Sequence, residues 1–156
     1  MEVWLRRAQF LLNQNQEGVE TITNRALLSL PRQDHVKFLT QVAILEFKCG
    51  VPDRCRSIFE KILREFPRRG DLWSVYIDQE IRVDDVDLTR SLFERASSLS
   101  LPAKKMKFLF KYLNYGKSLG DEERVQYVVQ KAREYIEHKY MMLNILTAQY
   151  KIVCEG

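Results

Sequence analysis

Apolar residues return along this chain at the spacing of one face of a helix. Leu72, Trp73, Tyr76, Ile77 and Ile81 recur at three- and four-residue steps with polar residues between them, which sets them on one stripe of a helical surface. Val and Thr do not alternate with polar residues as a half-buried strand requires. Residue usage agrees with the pattern. Leu, Glu, Arg, Lys, Gln and Ala lose little side-chain freedom in a helix, while Gly numbers only six and Pro four.

The stripe itself repeats. Large residues open successive segments at Trp4, Leu39, Trp73 and Leu109, with steps of 35, 34 and 36. Ala26, Ile62, Ala96 and Ala132 keep steps of 36, 34 and 36, each inside a run of similar character such as Glu94-Arg95-Ala96 and Gln130-Lys131-Ala132-Arg133. Pro31, Pro67 and Pro102, 36 and 35 apart, each follow an amphipathic segment, where proline stops a helix. Asn15, Gly50, Asp85 and Gly120 recur at a step of 35 and tolerate turn or left-handed backbone, so this column marks the bend between two helices.

A period of about 35 residues with two helices per unit places helix A at about 2–14, 34–49, 70–82 and 103–119. Helix B falls at about 17–30, 53–66, 86–99 and 121–138. Gly50-Val51-Pro52-Asp53 and Gly120-Asp121-Glu122-Glu123 each set a helix-ending Gly ahead of an N-capping Asp, and acid in a first turn offsets the helix dipole. A lone helical hairpin leaves its apolar face in water, so such units must stack. The expected fold is an all-α solenoid of about four hairpins and about eight helices. Its repeats fall at about 1–33, 34–69, 70–102 and 103–138, with residues 139–156 as a helical extension or cap, in part disordered. Because Trp4 already stands in register, the segment reads as part of a longer array.

Composition narrows the function. The 156 residues fit a single domain with a real core. Net charge is +4, from 25 basic and 21 acidic residues mixed along the chain, which permits nucleic-acid contact without arguing for it. Cys49, Cys55 and Cys154, with His35 and His138, have no zinc-ligand spacing, and Cys49 and Cys55 read as small buried or half-buried residues in a reducing compartment. Met1-Glu2-Val3-Trp4 does not start a signal peptide, and no apolar run approaches the roughly 20 residues of a membrane span. No P-loop, G-x-G-x-x-G, H-E-x-x-H or G-x-S-x-G sequence occurs, so no catalytic residue, cofactor or metal is expected.

Asp71-Leu72-Trp73-Ser74-Val75-Tyr76-Ile77-Asp78-Gln79-Glu80, followed by Arg90-Ser91-Leu92-Phe93-Glu94-Arg95-Ala96, resembles the half-a-TPR (HAT) motif. That motif has Trp-x-x-Tyr-x-x-x-Glu in helix A, then Arg and Phe-Glu-Arg-Ala in helix B. Leu39, Val42 and Glu46 with Arg56, Phe59, Glu60 and Lys61 keep part of it; Leu109 and Tyr112 are looser, with Gly116 at the acid position and Gln126 at the arginine position. Trp4 keeps the opening residue of the first unit, but Arg7 and Leu11 replace Tyr and Glu. The Leu-Gly pair of a tetratricopeptide repeat is missing. Within the HAT family the chain is most similar to the repeats that follow tandem S1 RNA-binding domains in ribosomal-RNA processing. The resemblance implies a non-enzymatic scaffold for partner proteins of a pre-ribosomal particle, in the nucleus and nucleolus, with self-association open to it. A HAT scaffold of splicing or of mRNA 3′-end processing is the rival within the family.

The structural signature of the motif is Trp73, Tyr76, Glu80, Arg90, Phe93 and Ala96. Its aromatic residues, with Trp4 and Phe59, are expected in the core rather than as a base-stacking platform, because they recur at repeat-equivalent positions. Glu46 and Glu80, with Arg56 and Arg90, are expected to pair between helices rather than to do acid–base chemistry. The densest basic patch, Lys104, Lys105, Lys107 and Lys111 with Arg68 and Arg69, has two readings: contact with RNA phosphates or an acidic partner, or a solvated helix face. Phe108 and Phe110 stand about 200° apart on a helix, so only one of them points inward.

Overall fold

A computed structural model describes residues 1–15, 17–49, 51–99 and 102–155, and of 102, 103, 154 and 155 the backbone alone. Among the described residues there are eight α-helices and no strand. They are α1 (Glu2–Asn13), α2 (Val19–Ser29), α3 (Arg32–Lys48), α4 (Pro52–Glu65), α5 (Gly70–Val83), α6 (Val86–Ser98), α7 (Pro102–Ser118) and α8 (Glu122–Glu155). The fold is all-α and of the solenoid class, as the periodicity implies. No helix is long and apolar enough to cross a membrane among the residues described.

The chain divides into two compact units, Met1–Glu94 and Arg95–Gly156. In the first, α1 to α5 each pack on the next, and α3 also packs on both α1 and α5. This is the stacking expected of helix A in a repeat array. Apolar residues decide which face turns inward. Cys55, Phe59, Ile62 and Leu63 bury one side of α4; Leu72, Trp73, Tyr76 and Ile77 bury one side of α5. Leu12, Val19, Ala26, Phe38 and Val42 form the core around α1 to α3, with half-buried Trp4 against it. Phe59 stacks on Tyr76 at 4.8 Å between ring centres and 7° between planes, which joins α4 to α5.

In the second unit α7 packs along α8. Phe108, Leu109, Tyr112 and Tyr115 are buried on α7, opposite Val125 and Val128. Phe108 is 3% exposed and Phe110 64%, so the inward member of the pair is Phe108. Gly116 marks a close approach of the helices, since a Cβ there would lie 3.3 Å from Cγ2 of Val125. The segment after His138 continues α8 without a break to Glu155, and Tyr140, Met141, Leu143, Ile145 and Leu146 are exposed along it.

The turns differ from the expected register in ways that backbone chemistry explains. Asn15 and Gly120 have left-handed φ of 50° and 67°, as the bend column requires. At the third bend the left-handed residue is Asp84 (φ 65°), one position before Asp85. Asp85 is instead the cap of α6, its Oδ1 accepting from the Leu88 amide at 3.1 Å. Asp121 caps α8 in the same manner, accepting from the Arg124 amide at 3.0 Å. Asp53 does not cap α4: that helix already starts at Pro52, which needs no amide partner in a first turn, and Asp53 pairs with Arg56 instead. Gly50, the remaining member of the bend column, lies outside the described residues. Gly18 holds φ 111° and sets the start of α2 at Val19. The prolines sit at helix junctions, Pro31 as the N-cap of α3 and Pro102 as the first residue of α7.

Candidate functional site

Glu80 of the repeat signature meets Arg56, the arginine of the preceding unit, at the seam between α4 and α5, while Arg90 of the signature lies on α6. Glu80 is fully buried on α5, and only a fork of donors makes a carboxylate tolerable there. Arg56 supplies it: Nε donates to Oε1 at 2.8 Å and Nη2 to Oε2 at 2.9 Å. The same guanidinium donates to Asp85 Oδ2 at 3.2 Å and to Asp53 Oδ1 at 3.2 Å. Asp85 thus caps α6 with one oxygen and takes Arg56 with the other. The hydrogen bonds to Glu80 hold the Arg56 proton more firmly than usual, against the opposing effect of burial. Trp73 completes the seam, its indole N–H donating to the Pro67 carbonyl at 2.9 Å. Tyr76 is buried, and burial, with the nearby carboxylates of Glu60 and Glu80, raises its phenol above the ordinary value. Phe93 and Ala96 are buried on α6, and Arg90 is half-buried on the same helix.

Both carboxylate oxygens of Glu80 thus accept from Arg56, and these bonds tie α4 to α5. Cys55 is withdrawn from reaction: burial pushes its thiol up to about 12, and Sγ contacts the Pro52 carbonyl oxygen at 2.7 Å. Cys49 is half-buried, and both are free thiols. The side chain of Cys154 lies outside the described residues. Among the described residues no group of His, Cys, Asp or Glu has the arrangement of a metal site.

The basic residues fall on both units. Arg68 and Arg69 occupy the turn between α4 and α5 in the first unit, both exposed. Arg69 donates from Nε and Nη2 to Asp71 at 2.9 and 2.6 Å, so much of its charge is spent locally. In the second unit Lys104, Lys107 and Lys111 follow a three- and four-residue step along one face of α7, with Lys104 and Lys107 exposed. Lys105 turns away from them, its Nζ 5.0 Å from the centre of the Tyr135 ring on α8.

A second polar place, not singled out by the sequence, lies in the first unit among α2, α3 and α4. A cavity of about 270 Å³ is lined there by Glu20, Thr23, Glu46, Arg54, Ser57 and Lys61, among others. The Glu46 side chain is 2% exposed, and its Oε2 lacks a hydrogen-bond donor; Arg54 Nε stands 3.3 Å away as an ion-pair partner. Burial raises the Glu46 carboxyl above its usual range, and Arg54 offsets this in part. The signal for this difference was present in the sequence. Stepping back 36 residues from Arg56, as from Ile62 to Ala26, reaches Glu20, an acid at the arginine position.

Residues 31–155 match the family described as Suppressor of forked protein (Suf). The chain is 65% identical over 135 residues to rRNA biogenesis protein RRP5 of Arabidopsis thaliana, covering 86% of this chain and 7% of that protein. To rRNA biogenesis protein rrp5 of Schizosaccharomyces pombe it is 44% identical over 140 residues, covering 88% of this chain and 8% of the relative. Pre-mRNA-splicing factor clf-1 of Neurospora crassa is more distant, 27% identical over 155 residues, 97% of this chain and 21% of the relative. The chain thus spans less than a tenth of the two RRP5 relatives. With a match over most of its length, and hairpins joined through the Trp73, Tyr76 and Glu80 seam, the chain belongs to the Suppressor of forked (Suf) family of HAT-repeat proteins.

Proposed function

We propose that this chain is a non-enzymatic scaffold that binds proteins of a pre-ribosomal particle and serves pre-rRNA processing and small ribosomal subunit assembly in the nucleus and nucleolus. The observation that carries this reading is 65% identity, over most of the chain, to a relative named for rRNA biogenesis. The splicing relative, at 27%, supports the rival scaffold much less. The use of Glu80 and Arg56 to pack α5 on α4 supports a scaffold. Affinity purification of the tagged chain from nuclear extract, with mass spectrometry of what is recovered, tests it. Recovery of small-subunit precursor proteins is expected. Recovery of spliceosomal or polyadenylation factors without them overturns it.

A second reading has its own observation, the row of Lys104, Lys107 and Lys111 on one face of α7. Here the row neutralises RNA phosphates, an interaction that weakens steeply with salt. Binding of single-stranded RNA at low salt, lost in Lys104→Glu/Lys107→Glu, is the result this reading requires. A chain that binds no RNA at low salt excludes it.

A further inference from the structure

The buried glutamates at equivalent positions of successive helix-A segments, Glu46 and Glu80, are served differently. Glu80 receives a two-pronged guanidinium from α4. The position on α2 equivalent to Arg56 carries Glu20, so the array supplies no guanidinium from there to Glu46. Glu46 instead keeps a buried oxygen with no hydrogen-bond donor, and it lines a cavity of about 270 Å³ shared with Glu20. A buried carboxylate oxygen without a donor is costly, and a donor fork is what the same fold uses to satisfy it. The cations lining the cavity do not supply that fork: Arg54 approaches with Nε alone and is 45% exposed, and Lys61 is exposed. Thr23 spends its hydroxyl hydrogen on the Val19 carbonyl, at 2.8 Å.

We infer that this cavity is a docking slot for an arginine side chain presented by a partner protein, whose guanidinium takes on Glu46, with Glu20 beside it, the role that Arg56 takes on Glu80. The inference rests on the scaffold reading above and names the chemistry of one contact. Arginine is preferred to lysine because a planar fork meets both oxygens of a carboxylate, whereas an ammonium meets one point.

The probe is N-acetyl-arginine amide, titrated into the isotope-labelled 156-residue chain and followed by NMR, with N-acetyl-citrulline amide as an uncharged isostere of the same shape. Saturable shifts at Thr23, Ile58 and Ser57 are expected with arginine, with binding at least about tenfold weaker for citrulline and for Glu46→Gln. Glu20→Arg restores the repeat's own guanidinium and is expected to abolish probe binding while raising the melting temperature. No saturable shift in the wild-type chain, equal shifts with citrulline, or undiminished binding in a folded Glu20→Arg chain each overturn the inference. Purification from nuclear extract separates it from the reading it rests on. If the wild-type chain recovers no pre-ribosomal protein, the scaffold reading fails; if wild type and Glu20→Arg recover the same set, the slot fails and the scaffold stands.

Discussion

Glu80 and Glu46 stand 34 residues apart at the same place in successive repeats, and both side chains are nearly or fully out of water. Around Glu80 the α4 arginine, the α6 cap and the aromatic stack close into one satisfied network. Around Glu46 one exposed arginine approaches at 3.3 Å and a cavity opens beside it. A repeat position thus fixes that a carboxylate is buried, while its energetic sign depends on what the preceding helix offers. Gly116, 36 residues beyond Glu80, shows a third outcome: the acid is gone, and α8 comes close enough to touch where a side chain would start.

The comparison breaks most sharply at Glu80. Glu80→Ala leaves the Arg56 guanidinium without its fork, and loss of one partner of a buried pair costs about 3 kcal/mol. Urea unfolding of the isolated chain measures it; a loss under about 1 kcal/mol would show that the seam is not the stabilising network described here. Gly116→Glu restores the acid of the motif but forces atoms against Val125, and is expected to cost about 2 kcal/mol in the same measurement.

Glu46→Gln is expected to move the other way, by under about 1 kcal/mol at neutral pH. The sign follows from the raised pKa. The native state holds the Glu46 proton more tightly than the unfolded chain, so wild-type stability declines as pH rises through 4.5 and on through the raised native value. Gln at this position escapes that decline. Thermal melts of the two chains therefore coincide at pH 4 and separate toward neutrality, the variant above; a separation of opposite sign would falsify the account of Glu46. The smallest effect is that of Glu20→Arg, a gain of a few tenths of a kcal/mol at neutral pH, since position 20 is exposed and water screens the new charge.

The eight helices were legible because burying one apolar stripe per helix leaves a period that survives in the sequence. Trp73, Tyr76, Phe59 and Phe93 were legible as core for the same reason, recurring where packing demands bulk. The bends were read less well. Asp85 and Asp84 both tolerate a turn, and a spacing rule does not tell a left-handed residue from the cap after it; the hydrogen bond to Leu88 does. Asp53 followed the Gly-then-Asp pattern of a cap, yet Pro52 had already opened the helix.

The sequence by itself determined the fold class, the helical hairpins and the family, because periodic burial and the Trp73-to-Ala96 signature are properties of the order of residues. Tertiary structure alone decided which buried charge is satisfied. The partner of Glu80 comes from a helix 24 residues earlier, and the surroundings of Glu46 depend on three helices meeting. Hydrogen bonds act over about 3 Å in space, and only the packed chain says which residues come that close.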